Sequence, residues 1–420
     1  MMHLRTNSRT LKFLLPAALL AASPGVLAAE DELKDNRTPL VVDFTTATYL
    51  PKTSSVLVAG LHGLLGALKI DEKGVAKLEK FAADENIDFT AVERLNDGDV
   101  LLGTANGKIF DFDGEKLVEL ATITKFDDNP EPVLDIAVHN GKAWAAGGRG
   151  MLAKSEDGKK WELVEIEQIE QPETEFPGAE AADWYFGASN VIAETVKFQA
   201  TKGGKAALAE TDYVMYPDEG FINFASELDA SPPPKISFMF KPGPAFKQGD
   251  VSWNVVLFNG SRITLAGEFG MIVQSLDGGS TWVRRDAHFT PKEPEPPYWM
   301  GGTESGDTQV LVGAAGAVHR STDGGATWTR LKQPSAEGLF GVALLKDGTP
   351  VIAGAVGMIG TFDGTNWTLA DRTKLQLLSW LKNPVDMPDG SLMMLGGRQT
   401  IIHYKDGNWT RVPMAAAAQP

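Results

Sequence analysis

A short apolar run that ends in glycine, turns within two or three residues and gives way to a second apolar run recurs along most of this chain. It reads VLVAGLHG from Val56, VLLGTANG from Val100, AWAAGGRG from Ala143, ITLAGEFG from Ile263, VLVGAAG from Val310, VIAGAVG from Val351 and LMMLGGRQ from Leu392. The leading glycines are Gly60, Gly103, Gly147, Gly267, Gly313, Gly354 and Gly396, at intervals of 43, 44, 120, 46, 41 and 42 residues. Self-similarity at such a period means one supersecondary unit repeated, since a single copy cannot bury its own apolar face. The long interval marks an insertion between the third and fourth copies.

Turn chemistry extends each unit. Upstream of the glycine lies another β-prone run closed by Asn96-Asp97-Gly98, Asn140-Gly141, Asn259-Gly260 or Asp347-Gly348, dipeptides that supply the positive φ of a tight hairpin. Downstream, a third run leads into SEDGKKW, SLDGGSTW, STDGGATW, TFDGTNW and KDGNW, starting at Ser155, Ser275, Ser321, Thr361 and Lys405. Each unit therefore reads as four antiparallel strands, A to D. Such units arrayed radially predict an all-β chain, a seven-bladed β-propeller of four-stranded antiparallel blades with a long insertion between blades 3 and 4. The interval of 120 leaves an eighth, degenerate blade open, and the irregular first unit leaves six open. No sustained 3.6-residue periodicity argues for helices. The expected organisation is blades 1–3 over 40–164, the insertion over 165–250 and blades 4–7 over 251–413, with Leu40 to Asp43 as a strand that helps to close the ring.

The N-terminus reads as a processing signal. Arg5, Arg9 and Lys12 precede an apolar stretch from Phe13 to Leu20 and a small-residue exit at Val26-Leu27-Ala28, the form of a signal peptide over 1–28 cleaved after Ala28 or Ala29. That apolar stretch is shorter than the roughly 20 residues a membrane span needs. An exported, periplasmic protein with no span after cleavage is expected. With 39 Lys plus Arg against 55 Asp plus Glu the net charge is −16, which argues against nucleic-acid binding. The absence of cysteine excludes disulfides, thiolate metal sites and a cysteine nucleophile.

SLDGGSTW and STDGGATW resemble the Asp-box, or bacterial neuraminidase repeat. The whole unit with its Gly-x-x-Gly turn is similar to the photosystem II assembly and stability factor propellers, over residues 44 to 412 apart from the insertion. Five units carry the tryptophan-terminated turn; the first two end in LKIDEKG and FDFDGEKL and are degenerate. Asp157, Asp277, Asp323 and Asp363 read as structural, each carboxylate bonding across its own C–D turn, with Trp161, Trp282, Trp328 and Trp367 packing between blades. One carboxylate per turn does not make a calcium site.

No catalytic set converges. A sialidase needs an arginine cluster and a tyrosine nucleophile, whereas the six tyrosines, at 49, 185, 213, 216, 298 and 404, are scattered and no Phe-Arg-Ile-Pro-like segment precedes the first unit. The histidines at 62, 139, 288, 319 and 403 lack metal spacing. No cofactor or metal is expected. A glycoside hydrolase using Glu268 in the channel mouth is the enzymatic alternative.

Strand parity places the A–B and C–D turns on one face and the B–C turns and D–A crossings on the other. The second face receives every elaboration: Lys125 to Pro132, the insertion, and Pro291 to Pro297 leading to Tyr298 and Trp299. Binding residues concentrate on loops held by a rigid scaffold. The B–C turns contribute His62, Asn106, Arg149, Glu268, Phe269, Arg398 and Gln399. The insertion carries 15 acidic against 6 basic residues and aromatic patches including Trp184 and Tyr185. The expected partner-binding set is Arg149, Arg398, Glu268, Phe269, Trp184, Tyr185, Tyr298 and Trp299. The resemblance implies an assembly or accessory factor for a membrane-protein complex. Photosystem assembly factors present a denser arginine patch than Arg149 and Arg398 alone, and relatives beside resistance-nodulation-division exporters imply an exporter as the alternative client.

Overall fold

The computed structural model describes residues 43–124, 130–242, 251–286, 289–291 and 296–415. The chain divides into two compact units, Met1–Val41 and Val42–Pro420, and every described residue belongs to the second. The signal segment, the cleavage site and Leu40 to Val42 lie outside the described residues, as do 125–129, His288 and 292–295.

Glycine-closed hairpins produce sheets in which sequential strands pair antiparallel. The first comprises Phe44–Leu50, Ser55–Gly60, Leu65–Ile70 and Ala76–Lys80. Six sheets have four strands in this simple order, and the one begun by Trp253–Asn259 has the same four plus three strands of the insertion. The inner strands Phe44–Leu50, Phe89–Arg94, Val133–His139, Trp253–Asn259, Trp299–Ser305, Leu339–Leu344 and Leu381–Asp386 adjoin one another in a closed circuit. The molecule is a β-propeller. Among the described residues no helix is long and apolar enough to cross a membrane.

The core lies between sheets. Val56, Val58 and Leu68 of the first sheet pack on Met393, Leu395 and Ile401 of the last. Each such side chain removed from water is worth about 1.5–3 kcal/mol, and here that burial joins the two ends of the sequence. The ring is fastened on its outer edge by the segment after the last strand: the Ala76 N–H donates to the Pro413 carbonyl and the Ala415 N–H to the Ala76 carbonyl, both at 2.8 Å.

The leading glycines have a reason beyond turn formation. A Cβ on Gly147, Gly267 or Gly313 would lie about 2 Å from the carbonyl of Pro132, Ser252 or Tyr298, where the chain enters the inner strand of the same sheet. Any side chain there would push the B strand off its neighbour.

The insertion is built onto the fourth sheet. Ile169–Glu175 runs parallel to the outer strand Val283–Arg284, and Lys235–Phe240 and Lys197–Gln199 continue outward. A second sheet pairs Tyr213–Tyr216, Phe221–Phe224, Asp183–Tyr185 and Thr290–Pro291. Between them lies an aromatic core of Phe176, Trp184, Phe186, Phe224, Phe238 and Phe289, continuous with Trp144, Phe258 and Trp282 of the third and fourth sheets. Ile236, Phe238 and Phe240 alternate along KISFMF and bury one face, which is why this acidic segment folds. Buried Arg284 ties the two parts together by donating to the carbonyls of Phe186 and Asp286.

Candidate functional site

Three regions carry polar chemistry. On the face of the B–C turns, the apex of each turn except the second is a non-glycine residue in the left-handed region: His62, Arg149, Phe269, Ala315, Val356 and Arg398, with φ between 48° and 56°. This conformation costs an L-residue roughly 1–2 kcal/mol, so each is imposed by its surroundings. The chain entering the following sheet supplies part of that grip. The His62 N–H donates to Asp88 Oδ1 at 2.8 Å, the Arg149 N–H to Ser252 Oγ at 3.3 Å and the Arg398 N–H to Asp43 Oδ1 at 2.7 Å. Three of the six apexes are thereby held by the entering chain, and all six but the half-buried Phe269 are exposed on this face.

The structure brings part of the expected partner-binding set together. Arg149 pairs with Glu131 at 2.9 Å; Glu268 Oε2 accepts the Ser252 N–H at 3.1 Å, and its Oε1 accepts the Tyr298 hydroxyl at 3.4 Å. Arg149, Glu268, Phe269 and Tyr298 thus form one patch over the third to fifth sheets, while Arg398 stands on the seventh. Two residues are corrected. Trp299 is fully buried, its Nε1–H donating to the Gly270 carbonyl beneath the B–C turn. Trp184 is also buried, packed on Phe176 and Phe224 in the insertion's core. Neither presents a surface; an aromatic that begins an inner strand or faces between two sheets serves packing. Tyr185 is half-buried and stands beside Phe221, which stacks on Tyr216 at 4.4 Å. Sequence reasoning missed the apolar apex Val356 and, in the crossing before the last sheet, Leu378, 57% and 80% exposed. Single apolar residues in short turns leave no periodic signal to find.

The second region is the C–D turns on the opposite face. Asp277 accepts the Ser280 and Thr281 N–H groups and the Ser275 and Thr281 hydroxyls; bonding led by the Thr281 N–H lowers it to about 2. Asp323 is held to about 2 chiefly by the Thr327 hydroxyl. Asp157 and Asp363 accept the N–H groups of Lys159 and Lys160 and of Thr365 and Asn366. Asp71 and Asp113 do the same in the first two units, which lack the motif in sequence: the first accepts from Lys73 and Val75, the second from Glu115 and Lys116. The turn needs the acid one or two residues past the strand and tolerates loss of the rest. The Nε1–H groups of Trp282 and Trp328 donate to the carbonyls of Gly279 and Gly325 within their turns, and that of Trp367 reaches across to Lys332. The Trp161 Nε1–H is buried with no partner among the described residues.

The third region is the central channel, a cavity of about 190 Å³ lined by all seven inner strands. Glu93, Asp135 and Lys382 face it beside Thr90 and Asn254. Burial pushes Glu93 up to about 7, aided by the charges of Asp135 and Asp386 and opposed by both the N–H and the charge of Arg94. Asp135 is raised to about 6 by burial, against the Val256 N–H and the charge of Lys382, whose ammonium burial shifts downward. Among the described residues, no cluster of three or more His, Asp or Glu is arranged to hold a metal.

Residues 241–366, the fourth and fifth sheets and most of the sixth, match the family described as photosynthesis system II assembly factor YCF48. This chain is a β-propeller similar to the photosystem II assembly factors. A solved structure described as YCF48 bound to D1 peptide superposes with a TM-score of 0.53 at 11% identity, covering 88% of this chain and 93% of that one. The WD40 propeller domain of Doa1 superposes at 0.51 and 10% identity, covering 87% and 93%. At those identities the likeness is one of fold. No curated protein matches the sequence.

Proposed function

We propose that this propeller is an exported, non-catalytic assembly or accessory factor that binds a membrane-protein client on the face of its B–C turns. The observation that carries the reading is the set of apex residues, His62, Arg149, Phe269, Val356 and Arg398, held in left-handed backbone on the face of the B–C turns. Strain of that kind clusters where a protein presents groups for recognition. The set mixes two arginines with exposed apolar surface, the composition of an interface centre. The family match over 241–366 and the neighbouring propeller bound to a D1 peptide support a protein client. Export rests on Arg5, Arg9, Lys12 and the Val26-Leu27-Ala28 exit.

The test is affinity capture from the native envelope after mild crosslinking, comparing the wild type with the double variant Arg398→Glu, Val356→Glu. Retention of one membrane complex by the wild type, reduced at least about tenfold in the variant, is the expected result. Equal retention by both would remove the face from the proposal. An exporter in the captured fraction would name that client, and N-terminal sequencing should find Ala29 or Glu30 first.

A further inference from the structure

We propose that the central channel binds a compact organic cation, a primary ammonium group, with the Glu93 carboxylate as its anionic partner. The charges that face the cavity are unequally matched. Each Asp135 oxygen has a donor: its Oδ2 accepts the Val256 N–H at 2.9 Å, its Oδ1 the Ile136 N–H at 3.0 Å, and Lys382 supplies an opposing charge from across the channel. Glu93 has one oxygen on the Arg94 N–H at 3.1 Å and no hydrogen bond to the other among the described residues. Arg94 is exposed and offsets part of the Glu93 charge, Asp386 ends the inner strand two places round the ring, and the inner strands of the first, fourth, fifth and sixth sheets place only uncharged groups at the cavity.

The arrangement is polarised along the channel axis. Lys382 is the second residue of its inner strand and Asp135 the third of its own, so this pair sits toward the B–C turns. Glu93 is the fifth of six and sits toward the A–B turns. At about 3.3 Å per residue the two levels are several ångströms apart, and at the lower one Glu93 and Asp386 are opposed only by the exposed Arg94 at the end of the Glu93 strand. An ionised carboxylate in a narrow polar cavity is costly unless paired. A cation small enough for about 190 Å³ relieves that cost, and its donors find the open Glu93 oxygen. Lys382 repels a second cation from the upper level, which sets occupancy at one.

The probe is butylammonium chloride, titrated calorimetrically at low ionic strength into the full chain. Binding at a single site is expected at about pH 8, weakened more than about tenfold at about pH 5.5, where Glu93 takes up its proton. Glu93→Gln should weaken it to a similar degree. Lys382→Met should tighten it, an opposite change that loss of folding would not produce. Binding by the peptide Gly-Lys-Gly as well would assign the site to lysine side chains of a partner; binding by butylammonium alone would assign it to a free amine. No saturable heat up to about 10 mM amine, or equal affinity in wild type and Glu93→Gln, would overturn the proposal.

Discussion

The carboxylates of the C–D turns and those of the channel are the same groups driven in opposite directions. Asp277 and Asp323 stand in water at the rim, each wrapped by hydroxyl and backbone donors from its own turn, and sit near 2. Asp135 and Glu93 stand on inner strands that bring two N–H donors to the first and one to the second, inside a cavity whose walls take away part of their hydration, and rise to about 6 and 7. A local loop can surround a charge because it brings its donors with it; a ring of parallel inner strands brings few. The turns therefore carry charge at every ordinary pH, and the channel holds charge that changes near neutrality.

The most forceful way to break the contrast is to remove the acid that the channel has matched. Asp135→Ala strands Lys382 and the Val256 N–H together, and is expected to cost roughly 2–4 kcal/mol in urea unfolding. Next comes pH. For Glu93 the folded value lies above the ordinary one, so the folded state holds the extra proton and stability falls as pH rises from about 4.5 to 7. Glu93→Gln should remove that fall and gain up to about 3 kcal/mol at about pH 8 relative to about pH 4, read from urea midpoints at the two pH values. A variant that keeps the wild-type slope would show that Glu93 is not the group concerned. The rim has the opposite sign: Asp277 and Asp323 are lowered, so their contribution is complete above about 4 and lost as pH falls toward 2. The double variant Asp277→Asn, Asp323→Asn should show a shallower acid-unfolding limb with its neutral-pH slope unchanged. The smallest effect belongs to the binding face. Val356→Gly relieves the left-handed strain and should stabilise by at most about 1 kcal/mol while weakening client retention.

The turn glycines and Asn-Gly or Asp-Gly pairs made the sheets and their strand order legible, because those residues do the same local work in every copy. The insertion's attachment was not legible. Ile169–Glu175 joins the fourth sheet through one parallel bridge to a two-residue strand, a contact no short pattern encodes. Arg149, Glu268, Phe269, Tyr298 and Arg398 could be assigned to one face by parity, since the side of the ring on which a turn lies depends only on counting strands. The same counting could not tell that Trp299 points beneath its turn or that Trp184 faces another sheet. Glu93, Asp135 and Lys382 were hidden in runs that read as ordinary strands, VERL, VLDIAV and LKNPV. A polar residue in an inner strand looks like a solvent-facing one until the ring closes around it.

The join between the first and last sheets has a consequence for how the molecule comes into being. Phe44, Val56, Val58 and Leu68 find their partners in Val385, Met393, Leu395 and Ile401, and the outer edge at Ala76 waits for Pro413 and Ala415. A chain emerging from the ribosome can complete six sheets and still leave the apolar flank of the first uncovered until the seventh arrives. Contacts of such sequence separation form late and slowly. The growing polypeptide therefore carries an uncovered apolar flank until its final strands are available.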